Sequence, residues 1–222
     1  MAAAALPALD VSLRLNPRHP LANHLAVHAH EASSQPERGD AAANMLREIA
    51  PGLGHLVHMS SHIDVRRGRW EEAIVANTRA IATNRSYREQ VGRPLSGYLN
   101  YMGHDYHMLT YAAMMSGQSA LAAQTMRDLF AQMPSEWKRE SDSGDGYFAM
   151  HFDVMKRFGQ WDKILAEPEP IARYPHALAP GADWHAAAAL ASHERIAQAA
   201  RALGFGRVGV VAPKPEALPK TT

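Results

Sequence analysis

A glycine turn that recurs three times restricts this chain more than any other feature. Arg67-Gly68-Arg69-Trp70 is followed by Ala73, Ser116-Gly117-Gln118 by Ala122, and Phe158-Gly159-Gln160-Trp161 by Ile164, so each glycine stands five residues before a small or apolar position. Between the turns, apolar residues and alanines recur at three- and four-residue spacing in blocks of helix length, the pattern of amphipathic helices. β-branched residues are sparse and alternation does not persist, so no sheet is expected and only Arg207 to Val211 reads as an extended piece. Glycine turns the chain with little steric restriction, and a small residue on the next helix lets two backbones approach closely. An all-α fold of helix pairs, each burying its face against the next, is the expectation.

The pattern resembles the tetratricopeptide repeat (TPR) family, which places a glycine between two helices, an aromatic two residues later and a small residue on the second helix. The resemblance covers most of residues 5 to 202 and implies a right-handed solenoid of antiparallel helix pairs. Glycines 68, 117 and 159 lie 49 and 42 residues apart, against about 34 in the family, so the repeats are irregular and carry insertions. In this register first helices fall near His19 to Ser33, His55 to Arg67, His104 to Met115, Gly146 to Phe158 and Trp184 to His193. Second helices fall near Glu37 to Ile49, Trp70 to Thr83, Ala120 to Gln132, Trp161 to Ala166 and Ile196 to Leu203. Insertions at Asn84 to Gly103 and Pro134 to Asp145, rich in glycine, proline, serine and charge, read as loops. One helical repeat domain over residues 1–205 is expected, followed by a tail, 206–222, whose proline-rich end frays.

Lysine plus arginine (23) nearly balance aspartate plus glutamate (22). No surplus of positive charge is available for phosphates or anionic headgroups, so neither nucleic acid nor membrane is an expected partner. The lack of cysteine removes disulfides, zinc-thiolate sites and thiol nucleophiles, so any metal must be held by nitrogen and oxygen. No apolar run approaches the roughly 18 residues of a spanning helix, and Met1 to Leu6 lacks the features of a secretory signal. The chain reads as soluble and, by default, cytoplasmic. Val11 to Pro17 reads as the end of a helix whose partner precedes it, so the chain is expected to begin inside a longer protein and to have lost any targeting segment.

Thirteen histidines are present, and their placement carries the information. With the turn glycine counted as repeat position 15, His55 and His104 both fall at position 2 and His58 and His107 at position 5. His62 follows on the same face as His55 and His58, at i, i+3, i+7 spacing. The TPR resemblance implies that these first-helix positions line a concave groove, to which the preceding repeat adds His24, His28 and Glu31. Imidazole favours zinc, copper, nickel and iron, and helices packed about 8–10 Å apart bring such side chains within reach of one ion. His151 reads as a core residue, His185 as a groove or surface residue, and His19, His30, His176 and His193 as surface or turn residues.

Methionines 59, 102, 108, 114 and 115 offer either core filling or thioether sulfur for Cu(I). Arg66 and Tyr111 fall on or beside the groove, as binding residues or as a solvated helix end. No nucleotide-binding, hydrolase or metalloprotease motif is present. The strings HLVHMSSHIDVRRGRW and ANHLAVHAHEAS resemble a group of bacterial TPR-domain proteins with histidine-rich helices. The expected function is transition-metal binding in the groove, for storage, for delivery or as an unassigned metalloenzyme. The expected partners in the groove are the metal ion and a peptide or small molecule, and the alternative is a scaffold that grips a peptide or partner helix without metal.

Overall fold

The computed structural model describes residues 2–92, 96–134, 142–166, 188–191, 201 and 207–210. The described residues are helical except for one short strand pair. Helices run α1 (Ala2–Leu15), α2 (Pro20–Glu31), α3 (Asp40–Ile49), α4 (Gly54–Arg66), α5 (Trp70–Val91), α6 (Ser96–Met115), α7 (Ser119–Gln132), α8 (Asp142–Arg157) and α9 (Trp161–Ala166), with a 3-10 turn at Pro36–Gly39. The chain forms two compact units, Met1–Val154 and Met155–Thr222, whose boundary falls inside α8. No helix among the described residues is long and apolar enough to cross a membrane.

The three glycine turns share one backbone geometry. Gly68, Gly117 and Gly159 have φ of 69°, 78° and 66°, a conformation in which a Cβ crowds the backbone. In each the residue after the glycine donates its N–H back across the turn at 2.8 Å, Arg69 to Asp64, Gln118 to Ala113 and Gln160 to Met155. This is the Schellman closure, which satisfies carbonyls left unpaired at a helix end. The next helix then starts within two residues. Ala73 and Ala122, the small positions of the first two turns, are fully buried.

Within the first unit each helix from α1 to α7 packs on its sequence neighbour, and α4 also packs directly on both α2 and α6. The core between α2, α3 and α4 is built from Ala26, Val27, Ala42, Ala43, Leu46, Met59 and Ile63. Leu9, Ala22 and Ala29 close the α1–α2 side. Gly54 marks the tightest approach: a Cβ there would lie 2.2 Å from Oδ1 of Asn84.

Several expectations are corrected. Residues 84–91 and 96–103 are not a loop, because α5 continues to Val91, where it is capped by Gly92 with a φ of 73°, and α6 begins at Ser96. Extending a formed helix costs far less than nucleating one, and the added turns place Asn84 and Tyr98 in hydrogen-bonding contact. Residues 142–145 are helical rather than loop, as the start of α8, and the expected helix at Glu37 opens instead as the 3-10 turn. Ala188–Ala191 (β1) is a strand where a helix was expected, paired in parallel with Arg207–Val210 (β2). A ladder partner here overrides the helix propensity of an alanine run, and the extended piece expected at Arg207 is that partner. The remainder of the Trp184–His193 reading and residues 212–222 lie outside the described residues.

Replacing Gly68 or Gly117 by alanine meets no atom within 4 Å, so its cost is conformational, about 1 kcal/mol, with the fold retained. Gly146→Ala, at an exposed interior position of α8, is expected to stabilise by about 0.5–1 kcal/mol. Gly54→Ala drives a methyl into Asn84 and is expected to cost about 1–3 kcal/mol. Urea unfolding of the variants checks the order, and a Gly68→Ala protein as stable as the parent would contradict the strained turn.

Candidate metal centre

Three helices supply one contiguous set of imidazoles. His24 and His28 project from α2, His55, His58 and His62 from α4, and His104 and His107 from α6, with Glu31 in the last turn of α2. The rings touch in sequence: His24 meets His28 at 4.8 Å and His55 at 5.0 Å, His58 meets His62 at 4.8 Å and His104 at 4.7 Å, and His62 meets His28 at 5.4 Å. His104 lies over His107 with centroids 5.8 Å apart. All eight candidate residues therefore stand at one place, where α4 is flanked by α2 and α6.

Hydrogen bonds fix which nitrogen of the two central rings is free. His58 is fully buried and its Nδ1–H donates to Oδ1 of Asn77 at 2.6 Å. The amide of Asn77 cannot flip, because its Nδ2 donates to the carbonyl of Ala73 at 2.8 Å. His62 donates its Nδ1–H to Oε2 of Glu31. A neutral imidazole that donates from Nδ1 carries its lone pair on Nε2. The two Nε2 atoms face each other at 2.9 Å.

Two lone pairs at that distance repel unless a cation lies between them. His58 is not the ring that carries a bridging proton, since burial first and then the neighbouring His62 and His104 hold it well below the usual imidazole range. A transition metal satisfies both rings. Nitrogen atoms of His58, His62 and His104 lie within 4.8 Å of one another. A tetrahedral ion with bonds of about 2.0–2.1 Å needs nitrogens about 3.3 Å apart, a difference that small side-chain rotations cover. His28, Glu31 and His62 form a second such group.

Five rings of the array, His24, His55, His58, His104 and His107, are held toward the neutral form. Burial, followed by repulsion from neighbouring imidazoles, pushes His55 and His104 down to about 4. His24 is lowered by burial and by His28 and His62, and His107 by burial. Burial alone would raise the Glu31 carboxyl, but hydrogen bonds from His28 and His62 outweigh it and hold Glu31 down to about 2. Ligand-ready imidazoles and an ionised carboxylate thus coexist, the state that metal binding requires.

Beneath the rings lies a polar network that sequence reasoning missed. Tyr98 donates to Oδ1 of Asn84 at 2.6 Å, and Asn84 donates from Nδ2 to Oδ2 of Asp105 at 2.5 Å. Burial raises the Asp105 carboxyl well above its ordinary value, against the lowering effect of Asn84. Its Oδ1 stands 3.3 Å from Nδ1 of His58 but off the direction of a hydrogen bond. Asn77, Asn84 and Asp105 were legible only as polar residues interrupting apolar helix faces.

Other candidates have structural places. Arg66 donates to the carbonyls of Glu31 at 2.6 Å and Ser33 at 3.1 Å, closing the end of α2. Tyr111 packs edge-on to Trp70. Met59, Met102, Met108 and Met114 are buried core, and Met115 is exposed. His30, expected at the surface, is buried, because α2 is covered by the 3-10 turn, whose Gly39 would bring a Cβ within 3.1 Å of the His30 Cβ. His19 is a turn residue as expected: it caps α2, accepting from the Ala22 N–H. His151 is half-buried, edge-on to Phe130. His176, His185 and His193 lie outside the described residues.

Comparison of the chain with protein-family models, with curated proteins and with solved structures gave no match.

Each imidazole whose folded value lies below its unfolded one binds fewer protons folded than unfolded. Its contribution to stability is therefore present above the unfolded value of about 6.5 and is lost as pH falls toward 4. Asp64 and Asp105, raised chiefly by burial, act in the opposite sense but are outnumbered. The metal-free protein is expected to melt at progressively lower temperature from pH 6.5 to 4. Ring-proton titration by NMR checks the cause, since midpoints near 6.5 for His55 and His104 would mean that the rings are solvated.

Proposed function

We propose that this chain is a TPR-type helical-repeat protein that binds a divalent transition-metal ion through His58, His62 and His104. The ion is zinc, copper, nickel or iron, the metals that suit an all-imidazole set. The observation that carries the reading is the pair of Nε2 atoms 2.9 Å apart on rings whose other nitrogens are committed to Asn77 and Glu31. Metal-ligating histidines usually donate their second N–H to a carboxylate, carbonyl or amide oxygen, which fixes ring and tautomer. Glu31–His62 and Asn77–His58 have that form.

Three protein ligands leave a fourth position for water or an exchanging molecule, the arrangement of reactive and transfer sites rather than of closed structural ones. A role in metal delivery or in a metal-dependent reaction therefore fits better than a purely structural ion. Because the ligands come from α4 and α6, and Glu31 from α2, an ion would tie helices of three successive pairs together.

Protein purified without a histidine tag is expected to retain metal after dialysis. At free metal about 100 times the dissociation constant, stabilisation is roughly 2.7 kcal/mol, several degrees at about 2–4 °C per kcal/mol for a chain of this length. His104→Ala is expected to abolish that shift, and Asn77→Leu to weaken affinity by about 10–100-fold through loss of ring orientation. Melting with chelator and with each metal, at neutral pH, checks both. Identical melting temperatures and no retained metal would retire this reading in favour of a metal-free binding scaffold.

A further inference from the structure

The two nitrogens of His62 face two different ligand sets. Nε2 stands against His58 Nε2 at 2.9 Å, with the His104 ring 5.4 Å away. Nδ1 stands against Glu31 Oε2, whose other oxygen is 2.6 Å from Nδ1 of His28. The two metal-capable groups, His58–His62–His104 and His28–Glu31–His62, share His62 and no other residue. The in-plane lone-pair directions of an imidazole diverge, so one ring cannot turn both nitrogens to a single ion.

We propose that His62 bridges two metal ions, Nε2 binding the ion held by His58 and His104 and Nδ1 binding a second ion held by His28 and Glu31. This rests on the proposed reading of the first ion. With only the inner ion bound, His62 is a neutral imidazole whose Nδ1–H donates to Glu31. The second ion takes the place of that proton: a metal–Nδ1 bond forms, the N–H bond breaks, its electron pair stays on the ring as imidazolate, and the proton leaves to solvent. No oxidant or reductant is involved. The bound inner cation makes this proton easier to lose, as metal ions do for the groups they bind.

Two bonds of about 2.0 Å on either side of one ring place the ions about 6 Å apart. The Glu31 carboxylate and the imidazolate together offset two of the four positive charges. The sites differ in access, since the side chain of His28 is 42 % exposed and that of Glu31 24 %, while His58 is fully buried. The inner site is a buried holder, and the outer one is open to exchange.

Cu(II) is the probe. Untagged full-length protein is titrated and followed by electron paramagnetic resonance, with calorimetry in two buffers of different ionisation enthalpy. The expected result is two copper ions per chain, with a signal that grows over the first equivalent and falls over the second as the spins pair through the bridge. The second equivalent releases one more proton than a non-bridging site would. His28→Ala is expected to take one ion with an undiminished signal and to retain parental helicity by circular dichroism; His28→Gln replaces it if it does not. A parent signal that keeps rising to the two-spin value, or a single ion whose binding His28→Ala leaves unchanged, overturns the bridge while the first ion stands. No bound copper in the parent overturns the metal reading itself.

Discussion

An imidazole taken out of water needs an acceptor for its N–H and a partner for its lone pair, and the fold around α4 follows from meeting that demand for rings that touch one another. For His58 the acceptor is Asn77, and the chain of support can be followed outward. Asn77 is held by the carbonyl of Ala73; Ala73 is fully buried, where a larger side chain would hold α4 and α5 apart; and the reversal that brings α5 back along α4 depends on Gly68 in its left-handed conformation. A backbone angle at one residue thus reaches, through a methyl group and an amide, to the tautomer of a histidine.

The opposite face of α4 is pinned by charge. Asp64, with no exposed side-chain surface, accepts from Arg47 at 2.6 and 2.8 Å and from Arg69 at 3.0 Å, and Arg69 continues to Asp40. A buried carboxylate is costly unless paired, so this set holds the rotation of α4 strongly: turning the helix strands a charge. Arg66, one turn along from His62, clamps the end of α2 that carries Glu31. The rings are therefore oriented from behind by ion pairs as well as from the front by hydrogen bonds.

Much of this was legible in the sequence, for reasons particular to certain residues. Gly68, Gly117 and Gly159 announced their turns because few other residues adopt positive φ, and the alanines after the first two marked close approach. His55, His58, His62, His104 and His107 were legible as a group because a helical face maps onto fixed spacing, and the structure brings them together with His24, His28 and Glu31. The extensions of α5 and α6 were not legible, since Asn84 to Gly103 has loop composition while its order comes from contacts such as Asn84 with Tyr98 and Asp105. Asn77 and Asp105 were missed because a single polar residue on an apolar face carries no spacing signal. The strand at Ala188–Ala191 depends on pairing with residues 207–210, which local propensity does not record.

The sequential packing of α1 to α7 has a consequence for how the chain acquires its form. Each helix finds its main partner next to it in sequence, so little loop entropy is lost before contacts form, and such topologies fold in roughly microseconds to milliseconds. Synthesis proceeds from the N-terminus at about 5–20 residues per second, far slower than that, so each pair settles as it emerges. The histidine array is assembled in the same order: α2 first, α4 upon it, and α6 last. While residues up to Asn77 are complete and His104 has yet to be made, His58 and His62 already have neighbours but lack the third ring. The nascent chain thus passes through a period, seconds long at that rate, in which its most buried histidine is still open to water.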